Sequence, residues 1–142
     1  MTTEEELTRL LGGAAGAEAP GELDTLEVEC PRGAGPVLDR VREVLEVVLR
    51  RADGEWPDLA EWRRVLPAWF VASCVDDAQV VECVLDRWSL RAWTYWFHPH
   101  LRKWRWWDAE AEGRTLRVRL LVLDRPYRRG ALEWLLKVAA SA

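Results

Sequence analysis

The alternation of apolar and polar residues predicts a β-hairpin in the last third of the chain. Residues 104–112 and 115–124 have the strand pattern, and Gly113 takes the first position of a two-residue type II′ turn between them. This turn sets a register in which opposite charges meet on one face, in the pairs Glu110–Arg117 and Asp108–Arg119. Apolar residues meet on the other face, in the pairs Ala111–Leu116, Ala109–Val118 and Trp107–Leu120. A shift of one residue would put every side chain on the wrong face, so both patterns support one register.

Farther from the turn, the hairpin becomes apolar on both faces. The same register pairs Trp106 with Leu121 and Trp104 with Leu123, on the face that is charged at the tip. Apolar strand faces are normally covered in folded proteins. We therefore expect either another element of this chain or a partner to cover the two tryptophans.

Hydrophobic spacing predicts the remaining elements. Period-two alternation predicts a strand over residues 25–30, and the short uncharged run 69–75 predicts a central strand buried on both faces. Residues 90–97 are rich in aromatics that favour strands, but Ser89 is a good N-cap and the apolar spacing is helical, which favours a helix. Apolar residues three and four positions apart predict helices over residues 36–51, 57–64, 76–88, 90–97 and 131–139.

Together these elements predict one α+β domain over residues 22–142. We expect a sheet of about four strands, including the C-terminal antiparallel hairpin, with the helices packed mainly on one face. A chain of 142 residues is long enough to bury one core. Residues 1–21 contain a short helical start and then a Gly/Ala-rich stretch, so we expect them to form a flexible arm and linker outside the domain.

The charge of the chain is divided between its two halves. Residues 1–86 carry 19 acidic and 8 basic side chains, a net charge of −11, whereas residues 87–142 carry 5 acidic and 12 basic side chains, a net charge of +7. Either the halves pack against each other and cancel, or each presents a charged face to a partner. The acidic amino terminus, the lack of a long apolar segment and three unpaired-looking cysteines predict a cytosolic protein that does not enter membranes.

The sequence offers few candidates for catalysis or metal binding. His98, His100, Cys74 and Cys83 are residue types that bind zinc, but they lack the paired spacing of zinc ligands. Cys74 is also a candidate nucleophile, yet an apolar setting raises the pKa of a thiol, which favours a core cysteine. The chain contains no phosphate-binding loop and no hydrolase motif. We therefore expect no cofactor and favour a non-catalytic protein over an enzyme.

Cations and aromatics at the apolar end of the hairpin and in the following loop form the candidate binding site. Trp, Tyr and Arg dominate protein-binding hot spots because they bury large areas and keep a polar end. The candidate residues are Arg102, Lys103, Trp104, Trp106, Tyr127, Arg128 and Arg129. The leading hypothesis is a small protein-binding module, either of an immunity or antitoxin type or an adaptor, and self-association is a further form of the same hypothesis.

Two other functions remain as alternatives. The interleaved cations and tryptophans of residues 102–107 are typical of proteins that stack bases and pair phosphates, so a single-stranded nucleic-acid binder is the first alternative. A hydrolase with an unrecognised site is the second. If the chain itself encloses Trp104 and Trp106, the next candidate surface is the acidic group Glu55, Asp58 and Glu61.

Overall fold

A computed structural model describes residues 1–12, 18–75 and 88–142. In these residues six helices and three strands follow one another in an α+β arrangement. The elements are α1 (Thr3–Leu10), β1 (Leu23–Glu29), α2 (Ala34–Leu49), α3 (Leu59–Val65), α4 (Ala68–Ser73), α5 (Leu90–Trp96), β2 (Trp104–Glu112), β3 (Thr115–Val122) and α6 (Gly130–Ser141). None of the described helices combines the length and the apolar content needed to cross a membrane.

The three strands form one antiparallel sheet in the order β1-β3-β2. Gly113 has a φ of 59° and makes the predicted turn between β2 and β3. The predicted pairs near the turn are confirmed, including Glu110 with Arg117 and Asp108 with Arg119. Beyond Asp108 the register shifts at a β-bulge, so Trp106 lies opposite Leu120.

This bulge corrects the prediction for the far end of the hairpin. Trp107 is the extra residue, and Trp104 lies opposite Val122 rather than Leu123. One additional residue reverses the alternation of side chains along the strand. Trp104 and Trp106 therefore point to the core face of the sheet, and the predicted pairs Trp107–Leu120, Trp106–Leu121 and Trp104–Leu123 are wrong.

The core lies between one face of the sheet and the helices. Leu116, Val118 and Leu120 of β3 are fully buried, and the apolar side of α2 contacts β2 and β3. An aromatic cluster forms part of this core: Phe70 of α4 packs edge-on against Trp93 and Trp134, with ring centroids 4.6 Å and 5.6 Å away. The general α+β prediction with one sheet is thus confirmed.

The predicted central strand over residues 69–75 is wrong, because this segment forms α4. Only Phe70 of α4 is fully buried, while Ala72 and Ser73 are exposed and Trp69 is half-buried. A run with that exposure cannot lie inside a sheet, and Val75 contributes only an isolated bridge to Ser89. The described residues form three strands instead of about four. The helix predicted over residues 76–88 lies outside the described residues, except for Trp88.

The N-terminal helix differs from the expected arm. α1 packs against β2 and α2, and its side chains Glu6 and Leu10 have no exposed surface. α1 packs on the domain because Glu6 pairs with two arginines of the other chain half. No local sequence pattern indicates these distant contacts. The flexibility of the Gly/Ala-rich linker stays a prediction.

Ion pairs between the acidic and the basic half connect the two parts of the chain. Glu6 pairs with Arg102 and Arg105, Glu27 with Arg117, Glu22 with Arg125 and Asp24 with Arg125 and Arg129. The charges that are separated along the sequence are therefore partly cancelled within the fold.

Candidate functional site

The structure divides the predicted binding residues into two groups. Trp104 and Trp106 are 3% and 1% exposed, and Arg102 is 8% exposed. Arg102 donates two hydrogen bonds to the Glu6 carboxylate, at 2.6 Å and 2.9 Å. These three side chains belong to the folded interior, so a partner cannot contact them without displacing part of the chain.

The remaining cations of the Arg/Trp stretch also have partners within the chain. Arg105 pairs with Glu6 at 3.0 Å, and the exposed Lys103 lies 3.5 Å from Asp124. Trp107 is buried beneath the guanidinium of Arg9, whose carbon lies 3.4 Å from the centre of the ring. No tryptophan face of residues 102–107 is therefore open for stacking a base.

Tyr127, Arg128 and Arg129 line an open cleft of about 420 Å³. Its walls are Trp88, Trp96 and the first turn of α6. Gly130 allows the close approach of α6 to Trp88, because a Cβ there would lie 3.3 Å from the indole Cζ2 atom. Besides the exposed Lys103, the loop between β3 and α6 is thus the part of the predicted site that stays at the surface.

Asp24 of β1 holds this loop in position. The Tyr127 hydroxyl donates a hydrogen bond to Asp24, and the Arg125 guanidinium donates another at 3.0 Å. The hydrogen bond from Tyr127, followed by the positive charges of Arg125 and Arg129, lowers the pKa of Asp24 despite its partial desolvation. Burial and the neighbouring Asp24 raise the pKa of Tyr127, so its hydroxyl remains a donor at neutral pH.

Arg128 is the exposed cation of this cleft. Its guanidinium carbon lies 5.0 Å from the ring centre of Trp96, within the range of a cation–π contact. Within the described residues Arg128 forms no ion pair, in contrast to Arg129, which pairs with Glu133 at 3.2 Å. Arg128 can therefore pair with a carboxylate from outside the chain without breaking an existing ion pair.

Two aromatic residues of α5 extend the cleft onto the surface. Tyr95 is 56% exposed and packs edge-on against the half-buried Trp96, with ring centroids 5.2 Å apart. Sequence reasoning missed both residues. The signal was present, because the helical spacing that buries Trp93 and Phe97 leaves Tyr95 and Trp96 off the core face.

The described residues include three of the four candidate zinc ligands, His98, His100 and Cys74. His98 and His100 stack on each other at the surface, with ring centroids 4.9 Å apart. No group of three or more His, Cys, Asp or Glu side chains in the described part of the chain has the geometry to hold a metal ion. Cys74 is half-buried and its thiol lies 3.5 Å from the Phe70 carbonyl oxygen. Cys83 lies outside the described residues.

The acidic group of residues 55–61 is partly used by the fold itself. Asp58 caps α3 by accepting a hydrogen bond of 2.8 Å from the amide of Glu61. Glu61 in turn pairs with Arg64 at 2.6 Å. Only Glu55 of the three is exposed without such a contact in the described residues. This group is therefore a weaker candidate than the cleft.

Comparisons of the chain with protein-family models, with curated proteins and with solved structures find no match. The function must therefore be argued from the geometry of the chain alone.

Proposed function

We propose that this chain is a small non-catalytic protein of the cytosol that binds another protein through the cleft between α5 and α6. This aromatic cleft comprises Trp88, Tyr95, Trp96, Tyr127 and Arg128. The observation that carries the proposal is the exposed Tyr95, which lies next to the half-buried Trp96 and near the exposed Arg128. Among the described Phe, Tyr and Trp side chains, Tyr95 is the one that is mostly exposed, so its position beside Trp96 and Arg128 needs a reason.

The chemistry of the aromatic cleft indicates the partner. Tyr95 and Trp96 offer apolar area with polar ends, and Arg128 offers a guanidinium that can pair with a carboxylate. The half of the chain that builds the cleft carries a net charge of +7 over residues 87–142. A partner segment with an acidic side chain beside an apolar or aromatic one would complement this surface. Toward such a partner, the chain would act as an immunity-type, antitoxin-type or adaptor-type protein.

The first experiment compares what three versions of the chain retain from a lysate of its source. The baits are the wild-type chain, the double variant Trp96→Ala plus Arg128→Glu, and the control Leu123→Ala. Leu123 is a suitable control because it is 50% exposed and does not line the cleft. We expect a partner that the wild-type and control baits retain and the double variant loses.

Direct affinity measurement with the retained protein then tests the site. Removing a hot-spot residue costs about 2 kcal/mol or more, which corresponds to a loss of about 30-fold in affinity. The double variant should lose at least this factor. Because Trp96 is half-buried, the melting temperature of each version is measured as well, and the affinities are compared at a temperature at which all three are folded. Equal affinity of the double variant and the wild-type chain would remove the aromatic cleft as the binding site.

Nucleic-acid binding has less support in the geometry. The tryptophans of residues 102–107 lie in the interior, and their neighbouring cations are paired. The proposal therefore predicts no saturable binding of a fluorescent single-stranded oligonucleotide at 0.15 M salt. Submicromolar binding that depends on Arg128 would favour the nucleic-acid alternative instead.

A further inference from the structure

A buried ion-pair cluster lies beneath α1, at the outer edge of β2. The Glu6 carboxylate is fully buried and accepts four hydrogen bonds. Two come from Arg102, one from Arg105 at 3.0 Å and one from the backbone amide of Trp106 at 2.7 Å. A carboxylate that meets two guanidinium groups and an amide occupies a built anion site, and here the anion is supplied by the chain itself.

α1 also covers a sheet edge that would otherwise be open. The amide of Trp106 and the carbonyl of Trp107 lie at the bulge of β2, which is an edge strand. Glu6 accepts from the amide, and Arg9 donates to the carbonyl at 3.2 Å. Unpaired edge groups of this kind are where strands and other segments of foreign chains add. The two side chains of α1 occupy that position.

The contacts of α1 do not require that it belong to the same molecule. Thr3 donates to Asp53 at 2.8 Å, and the Leu10 carbonyl accepts from Arg42 at 2.8 Å. All these contacts join α1 to residues beyond the linker of residues 11–21. Ten of these linker residues, 12–21, comprise four glycines, four alanines, one glutamate and one proline. A second copy of the chain offers the same acceptor site with the same sequence.

We propose that the edge of β2 is an interaction surface for α1 of a second copy, so that two chains can exchange their N-terminal helices. Each exchanged helix brings Glu6 to Arg102 and Arg105 of the other copy. The helix makes the same contacts in the monomer and in the exchanged dimer. The equilibrium between these two forms therefore depends on the linker. An 11-residue linker that behaves as a random coil would span about 18 Å and would give an effective concentration in the millimolar range. The exchanged dimer therefore forms at millimolar chain concentration, or at lower concentration when the linker is too short.

A linker deletion tests the exchange in the full chain. Removing residues 13–19 joins Gly12 to Pro20 and leaves at most about 7 Å between Gly12 and Gly21. α1 lies at the outer edge of β2, whereas β1 lies on the other side of β3, and β1 and β2 are about 10 Å apart. The shortened linker restricts how α1 can reach its own site, so we expect the equilibrium to move toward the exchanged dimer. Light scattering at tens of micromolar should show twice the wild-type mass.

Two controls separate helix exchange from other association. A chain in which residues 13–19 are replaced by seven Gly/Ser residues keeps the linker length and should stay monomeric. The deletion combined with Glu6→Ala should also be monomeric, because the helix has lost its carboxylate. A doubled mass that survives Glu6→Ala, or a monomeric deletion variant, overturns the proposal. Loss of the doubled mass with Trp96→Ala would assign the dimer to the aromatic cleft instead.

A cross-linking measurement keeps the native linker. A mixture of Thr3→Cys chains and Asp53→Cys chains can form a disulfide between these positions only across two copies. At 1 mM under mild oxidation we expect a cross-linked dimer, at least tenfold more abundant than in the same mixture carrying Glu6→Ala. Equal yields with and without Glu6→Ala, or no cross-linked dimer at 1 mM, would overturn the exchange for the native chain.

Discussion

Glu6 is a buried charge that depends on every one of its donors. Burial alone raises the pKa of a carboxyl group, but the charge and hydrogen bonds of Arg102, the amide of Trp106 and the charge of Arg105 outweigh it. The pKa of Glu6 is therefore below its ordinary value of 4.5 in the folded chain. Removing one partner of a buried ion pair is costly because the other charge stays behind in the interior.

Glu6→Gln should destabilise the chain in a pH-dependent way. We expect a loss of about 3 kcal/mol at pH 7, since two arginines lose their counter-charge. A depressed pKa contributes stability that is fully present above about pH 4.5 and is lost as the pH falls through the folded-state pKa. The difference between wild type and variant in urea unfolding should therefore shrink below pH 4.5. A difference that is constant from pH 7 to pH 3 would show that folding does not lower the pKa of Glu6.

Tyr127 and Asp24 offer a test of the loop that builds the aromatic cleft. The hydrogen bond from the Tyr127 hydroxyl is the main cause of the lowered pKa of Asp24. Tyr127→Phe removes that donor and keeps the ring, so the pKa of Asp24 should rise toward its ordinary value of 3.8. Carboxyl-carbon NMR titration measures this directly. If the pKa of Asp24 stays unchanged, the loop is not held by this bond.

At the scale of single elements, the hairpin shows where a sequence pattern carries information and where it ends. Near the turn, opposite charges on one face and apolar residues on the other specify one register, and this register is confirmed. Around Trp104 to Trp107 both faces are apolar, so no alternation marks the bulge. At the bulge, Glu6 and Arg9 of α1 bond to the strand edge, and these contacts between distant residues are not visible in the local pattern.

One ion pair allows a mutational test of the confirmed part of the hairpin register. Asp108 and Arg119 form two hydrogen bonds across the strands. Arg119→Glu should destabilise the chain by about 0.5–1 kcal/mol, because it places like charges opposite each other. Adding Asp108→Arg should recover part of this loss in a double-mutant cycle. Additive effects of the two changes would contradict the pairing.

Trp106 provides the corresponding test of the corrected part of the hairpin. Its ring is 1% exposed in the core, whereas the predicted register would have placed it on the outer face. Trp106→Ala should therefore cost about 3–5 kcal/mol, as expected for a large aromatic removed from a core. Leu123→Ala, at a half-exposed position, is the matched control and should cost less than about 1 kcal/mol. Similar small losses in both variants would argue for the unbulged register.

At the scale of the whole molecule, local patterns identified most elements but not their contacts. β1, α2, α3, α5, the hairpin and α6 follow from periodicity and caps, as with Ser89, which accepts a bond from the amide of Ala92. The short apolar run of α4 fits a strand or a helix equally well. Only the exposure of its side chains in the folded chain excludes a strand inside the sheet. Likewise, Tyr127 to Arg129 were predicted as surface binding residues, but the fold alone brings them beside Tyr95 and Trp96.

The central strand β3 and the helix α1 differ in how they are held in the fold. β3 is paired on both sides, and its side chains Leu116, Val118 and Leu120 are fully buried. α1, in contrast, is joined to the rest through a Gly/Ala-rich linker and depends on the ion pairs of Glu6. We therefore infer that α1 can detach in a local opening while the central strand stays intact.

Hydrogen exchange distinguishes this local opening from global unfolding. The amide of Trp106 bonds to Glu6, so its protection should last only as long as α1 is docked, whereas the amides of β3 should exchange most slowly of all. In Glu6→Ala the Trp106 amide should exchange at least tenfold faster. The amides of β3 should accelerate less, because their opening also requires the loss of the core beneath them. An equal acceleration of Trp106 and β3 would mean that α1 and the sheet unfold as one cooperative unit.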